Sequence, residues 1–327
     1  MTSDRLNAEA LELVTVRDWL RFAVSRFKAA GLVYGHGTTK ALDEAAFLIL
    51  HTLHLAVDEL DPWLDARLLP AERRALLETI EARIATRKPA AYLAKEAWVQ
   101  GHSFYVDERV IVPRSYIAEL LCNQMAEPEN EWHLGVDPLP VRAVLDLCTG
   151  SGCLAILAAL AFPKASIEAS DISADALAVA ERNVRDYGLE TRIALLHSDL
   201  FAAHAGRRYD LILGNPPYVG AEALAAFPPE YAAEPTIAHA GGLDGLDLVR
   251  RILAEAGNHL ARTGSLVVEV GTGRAVLEQE HPHLPFLWLD TAESQGEVLA
   301  LPASALGAPK ASGRKRRRPA SRSAKSR

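Results

Sequence analysis

The chain has 327 residues, 49% hydrophobic and 24% charged, with a mean hydropathy of +0.03, which excludes collagen-like, disulfide-stapled and membrane-spanning classes and leaves apolar material for two domains. Net charge is −7 but uneven: residues 310–327 hold nine Lys or Arg and no acid, leaving 26 basic against 42 acidic residues elsewhere, a balance of −16. An acidic body repels nucleic acid and attracts basic partners.

In chain order, residues 1–95 are expected to form a helical domain. Trp19, Leu20, Ala23 and Phe27 recur at helical spacing, Asp43 to Leu55 carries an apolar stripe, and Ala71 to Ala85 repeats the pattern until Pro89. Residues 96–114 are expected to form a hairpin linker, because Phe104, Val106, Val110 and Val112 alternate around the polar Asp107-Glu108-Arg109. Residues 115–303 follow as an α/β domain, with a helix around Ile117 to Met125 and a proline-rich exposed loop over Glu127 to Pro140. From Val141 strands and helices alternate: Val141 to Leu147, Leu154 to Ala161, Ser166 to Ser170, Ala174 to Tyr187, Arg192 to His197, Tyr209 to Leu213, Leu243 to Leu260 and Ser265 to Val270. That rhythm predicts a mostly parallel sheet with helices on both faces and a ligand at the carboxyl ends of its strands. Residues 304–327 are expected to be a disordered basic tail, either solubilising or touching RNA. Cys122, Cys148 and Cys153 make no disulfide framework, the histidines lack any HExxH spacing, and no metal is expected. The opening residues lack the order of a secretory signal, so a cytoplasmic address is expected, with no membrane contact.

Four motifs carry chemistry. Asp146-Leu-Cys-Thr-Gly150-Ser-Gly152 runs from a strand into a glycine-bearing turn that opens a helix, where Thr149, Gly150 and Gly152 let the backbone approach a ligand. Gly150, Gly152 and Ala155 also satisfy a dinucleotide G-x-G-x-x-A, so this turn alone does not choose a cofactor. Asp171 closes the second strand about 20 residues later, where a carboxylate takes ribose hydroxyls. Asp199 follows the third strand, placed to address an adenine edge with Leu200 or Phe201 against the ring. Asp146, ahead of the glycines, suits a cationic amino-acid group better than a pyrophosphate. S-adenosylmethionine satisfies all three acids. The fourth motif is Asn215-Pro216-Pro217-Tyr218, directly after a strand. Two prolines stiffen the turn and withhold N–H donors. The Asn215 side-chain oxygen and the Pro216 carbonyl can each accept one N–H of a planar amide, aiming its lone pair at the sulfonium methyl, while Tyr218 covers the planar group. Catalysis then works by orientation, without a general base.

On these residues the chain resembles the HemK-like class I methyltransferases that modify glutamine side chains in the translation apparatus. Within them it is most similar to the branch acting on large-subunit ribosomal protein L three, through Tyr34-Gly-His-Gly-Thr38, Phe104 to Arg114, Asp146 to Gly152 and Gly241 to Arg250. The resemblance implies a Rossmann-like seven-stranded sheet preceded by a small helical substrate-recognition domain. It implies that Gly150, Gly152, Asp171, Asp199 and Leu200 border the cofactor, and that Asn215 to Tyr218 hold the glutamine. Arg114 and the Gly241 to Gly245 loop shape the acceptor pocket by the same resemblance; by chemistry alone Arg114 is equally an interdomain salt-bridge partner. The wider family commonly has glycine where this chain has Cys148. The rivals are a release-factor glutamine methyltransferase and an adenine-N6 DNA methyltransferase, since an exocyclic amine presents the same N–H pair; the latter needs a basic face that the acidic body does not offer.

Overall fold

The computed structural model describes residues 9–126, 134 and 141–307. Thr15 opens α1 (Val16–Ala29) with a reciprocal cap: its hydroxyl accepts the Asp18 N–H at 3.2 Å, and the Asp18 carboxylate accepts the Thr15 N–H at 3.0 Å. Trp19, Ala23 and Phe27, four residues apart, share one face and are fully buried against α2 (Ala41–Thr52) and α3 (Pro70–Thr86). Burying each large apolar side chain of this kind stabilises by roughly 1.5–3 kcal/mol. Arg83 of α3 is fully buried as well, and pairs at 2.8 Å with the buried Glu44 of α2. Its Nη2 donates to the Val33 carbonyl at 3.2 Å, so α3 also holds the loop that follows α1. The short α4 (Ala90–Ala94) follows Pro89.

The hairpin differs from the expected one. Its strands are β1 (Ala97–Val99) and β2 (His102–Phe104), and they reverse at Gln100-Gly101, not at Asp107-Glu108-Arg109. Both turn residues have positive φ, 50° and 78°, as a two-residue turn between twisted strands demands. Asp107 to Val110 makes a separate unpaired turn, closed by Val110 N–H donating to the Asp107 carbonyl at 3.1 Å. The strap from Tyr105 to Ser115 then runs across the α/β body. Asn183 clamps it, accepting the Tyr105 N–H at 2.7 Å and donating to the Tyr105 carbonyl at 3.0 Å.

After α5 (Tyr116–Ala126) come β3 (Ala143–Leu147), α6 (Cys153–Ala161), β4 (Ser166–Asp171), α7 (Ala174–Asp186), β5 (Ile193–His197) and β6 (Tyr209–Gly214). They are followed by α8 (Ala221–Ala225), α9 (Asp247–Glu255), β7 (Leu260–Glu269), α10 (Arg274–Glu280), β8 (Leu287–Leu289) and β9 (Val298–Pro302). The seven main strands order as β5-β4-β3-β6-β7-β9-β8; the first five are parallel, and β9 is antiparallel to both neighbours. This is the α/β class I sheet that the motifs imply. The helix expected over Leu243 to Leu260 is shorter at both ends: residues 243–246 belong to a glycine loop, and after Glu255 a single 3-10 turn leads into β7 at Leu260. One apolar core packs α5 and α6 on one face of the sheet, and another packs α9 on the opposite face. From β3 the chain moves outward through β4 and β5, then returns to the other side of β3 with β6. That reversal opens a crevice at the carboxyl ends of β3 and β6, where ligands of such sheets bind. Leu134 is buried in the core; the rest of the expected Glu127 to Pro140 loop, and the tail from Ala308, lie outside the described residues.

Candidate active site

The turn after β3 concentrates left-handed backbone. Cys148, Gly150 and Gly152 have φ of 57°, 54° and 82°. A non-glycine residue in this region costs on the order of 1–3 kcal/mol, which explains why glycine suits position 148 and marks Cys148 as a strained residue lining both cavities described below. Burial pushes its thiol well up, so it is no thiolate nucleophile. Gly152 lies off both cavities; a Cβ there would sit 3.2 Å from that of Ala180, so this glycine serves the packing of the turn on α7.

Asp146 is fully buried under the turn. One oxygen accepts the Thr149 hydroxyl at 2.5 Å, and the other has no hydrogen-bond partner. Burial pushes its carboxyl up to about 7, against the Thr149 bond, which lowers it. Asp171, at the tip of β4, accepts the Gly150 N–H at 2.9 Å on one oxygen and the Ser173 N–H at 2.9 Å on the other. Burial raises its carboxyl, while these N–H groups partly offset the rise. Gly150 thus spends its N–H on Asp171 and fixes that carboxylate at the cavity wall.

Two cavities meet at the carboxyl ends of the strands. The first, of about 520 Å³, is lined by Asp171, Ile172, Asp199, Leu200, Ile237 and Arg251, among others. Asp199 reaches it already paired, both oxygens 2.9 Å from Arg251 Nη2. Phe201 turns the other way and stacks on His259 in the core, with ring centroids 4.6 Å apart, so Leu200 alone of the pair faces the cavity. Ile172 and Ile237 are half exposed and missed by sequence reading; Ile172, next to the ribose acid, was the findable one. An acid at β4 and apolar walls fit S-adenosylmethionine, with Asp171 set for its ribose and Ile172 and Leu200 for its base; Asp146, the acid expected at its ammonium group, lines neither cavity and stands buried behind the turn with one oxygen unpartnered. Should the ammonium group reach Asp146, whose carboxyl stands near 7, affinity for S-adenosylmethionine is expected to rise by up to about tenfold per pH unit below that value, since a bound cation favours the carboxylate and releases its proton. It is expected to fall again above about 8, where an α-amino group deprotonates. Calorimetry across pH reads both limbs, and Asp146→Asn should abolish the acid one.

The second cavity, of about 540 Å³, is lined by Asn215, Pro216, Pro217 and Tyr218, by Arg114 to Tyr116 of the strap, and by Trp98, Tyr231 and Glu269. Asn215 Nδ2 donates to the Arg114 carbonyl at 2.8 Å. A carbonyl can only accept, so the contact assigns the amide its orientation and frees Oδ1 as an acceptor. Burial raises the Tyr218 phenol, which therefore stays neutral. Its ring lies over Gly271, where a Cβ would come within 2.8 Å of Cδ2. Behind the turn, Gly241 donates its N–H to the Val219 carbonyl at 3.0 Å, and a Cβ on Gly241 would stand 2.7 Å from the Pro217 carbonyl oxygen. The Gly241 to Gly245 loop therefore backs the Asn-Pro-Pro-Tyr turn by direct backbone contact. Arg114 makes the interdomain bridge: Nη1 donates to the Gly35 carbonyl at 2.7 Å, and Nη2 lies 3.2 Å from a Glu234 oxygen. Glu230 and Glu234, both buried, escaped sequence reading because their hydrogen-bond partners Val33, Arg87, Val112 and Arg114 stand more than 100 residues away. Among the described residues no cluster of His, Cys, Asp or Glu could hold a metal, and no helix is long and apolar enough to cross a membrane.

Residues 132–227 match the family model of the methyltransferase small domain. The chain is 52% identical to the ribosomal protein uL3 glutamine methyltransferase of Bradyrhizobium diazoefficiens over 295 residues, which is 90% of this chain and 92% of the relative. It is 55% identical to the protein of that name from Burkholderia pseudomallei over 301 residues, 90% of this chain and 96% of the relative. Among solved structures it resembles the ribosomal protein L11 methylase of Lactobacillus delbrueckii subsp. bulgaricus at 22% identity, covering 56% of this chain and 75% of that one, with a TM-score of 0.36. With more than half of all positions shared over nearly the full length of such relatives, this chain belongs to the ribosomal protein uL3 glutamine methyltransferase family.

Proposed function

We propose that this chain methylates the side-chain amide nitrogen of a glutamine in large-subunit ribosomal protein uL3, using S-adenosylmethionine. The observation that carries the reading is the Asn215 amide, whose Nδ2 is occupied by the Arg114 carbonyl so that its oxygen is available to an incoming N–H. When bound, S-adenosylmethionine supplies the electrophilic methyl group. The protein contributes orientation: Asn215 Oδ1 and the Pro216 carbonyl take the two amide N–H groups, Tyr218 covers the plane, and the resonance-weakened lone pair is directed toward the donor cavity. The helical domain and the strap around Arg114 serve acceptor recognition, and the reaction runs in the cytoplasm, where a basic ribosomal protein meets an acidic body. The acidic body also disfavours duplex DNA as the substrate. The basic tail, outside the described residues, keeps two readings, a solubilising end or a contact with RNA of an assembling subunit.

The test is transfer of labelled methyl to purified, unmodified ribosomal proteins and release factors, followed by peptide mass spectrometry. Label on a uL3 glutamine is the expected result. Label on a release factor or on no protein at all would overturn the assignment.

A further inference from the structure

Glu234 belongs to no motif, yet it is a buried junction. One oxygen accepts the Val112 N–H at 2.9 Å, and Arg114 Nη2 lies 3.3 and 3.2 Å from the two oxygens. His36 Nε2 of the helical domain and His239 Nε2 of its own segment stand 3.3 and 2.9 Å from the second oxygen. Burial pushes this carboxyl up, but the two imidazoles and the guanidinium outweigh burial and hold it below the usual carboxylate range. A carboxylate held by the Val112 N–H and the Arg114 guanidinium, with two imidazoles close by but outside hydrogen-bond geometry, does not act on substrate; it acts on what it holds. It grips the backbone of Val112 and the side chain of Arg114, and the Arg114 carbonyl is the acceptor of Asn215 Nδ2 at 2.8 Å. Arg114 Nη1 further moors the same residue to the Gly35 carbonyl of the helical domain.

We propose that Glu234 is a positioning residue for the methyl acceptor: it fixes residues 112–114 so that the Arg114 carbonyl holds the Asn215 amide with its oxygen toward the acceptor cavity. The helical domain, through Gly35 and His36, is part of this brace and not solely a recognition module. The inference rests on the glutamine reading above, because only an amide or amine acceptor needs the Asn215 oxygen so directed.

Glu234→Gln keeps the shape and removes the charge. It is expected to lower kcat by about 10- to 100-fold, as sub-ångström misplacement of an acceptor does, while the Kd for S-adenosylmethionine stays at the wild-type value. In an Asn215→Ala background the same change should add no further loss, which a general weakening of the fold would not reproduce. The Asn215 side-chain NH₂ resonance, read by NMR in the full chain, should shift and broaden in Glu234→Gln. This signal is independent of which acceptor the enzyme takes, so it separates failure of the brace from failure of the proposed substrate. Wild-type kcat, or an unchanged Asn215 resonance, in Glu234→Gln would overturn the proposal. If that variant does not fold, Arg114→Met, which spares the Val112 bond, is expected to show the same selective loss, and a wild-type kcat there would overturn it equally.

Discussion

Asn215→Ala is expected to lower methyl transfer by about 100- to 1,000-fold, the cost of deleting one preorganised polar group aimed at a reacting centre. The loss should fall on kcat. On the proposed assignment donor recognition centres on Asp171 and the walls around Leu200, whereas the Asn215 head group, though it borders both cavities, is held from the acceptor side by the Arg114 carbonyl. Truncation therefore leaves the Kd for S-adenosylmethionine close to wild type and removes the acceptor for one amide N–H. Asn215→Asp is the sharper control. It retains an acceptor oxygen but confronts the Arg114 carbonyl with a second oxygen, so it should also be slow. Single-turnover assays together with calorimetry separate the two quantities, and unchanged turnover in Asn215→Ala would dismiss catalysis by orientation.

Asp171→Ala is expected to weaken S-adenosylmethionine binding by roughly 1–3 kcal/mol, the range for losing charge-assisted hydrogen bonds in a partly buried site. Part of that cost is indirect. The carboxylate also receives the Gly150 and Ser173 N–H groups, so its removal loosens the turn after β3 and the start of α7. Asp171→Asn keeps an acceptor for one of those N–H groups and should show a smaller loss. Titration calorimetry on both variants measures the difference; full affinity in Asp171→Ala would remove the ribose role from this residue.

Legibility in the sequence follows distance along the chain. Asp146, Gly150, Asp171 and Asn215 each sit at the end of a strand with the signal in adjacent residues, so the strand-to-turn rhythm alone is enough to place them. The Gln100-Gly101 reversal is misplaced by pattern because its turn lacks the Asn-Gly or Asp-Gly signature, while the polar Asp107-Glu108-Arg109 imitates one. Strand β8, only three residues long, has too little alternation to be read. Phe201 has the look of an adenine platform, but the positive φ of 46° at Leu200 sends the chain around so that Phe201 enters the core. The brace at Glu234 is invisible for a different reason. Its partners His36, Val112 and Arg114 come from two separate parts of the chain, and one sequence carries no signal for pairings that only the folded topology creates.

The proposed donor and acceptor cavities share Ile111, Cys148, Gly150, Asn215, Pro217 and Ala238 as a common wall, yet each is otherwise bounded by its own set of residues. On the proposed assignment each occupant has a cavity largely its own, so the modified protein and the spent nucleoside need not wait for one another to leave. No compulsory order of entry is then expected. Calorimetry should find the protein acceptor binding whether or not adenosylhomocysteine fills the donor cavity, and an acceptor that binds only once the donor cavity is filled would mean a compulsory order.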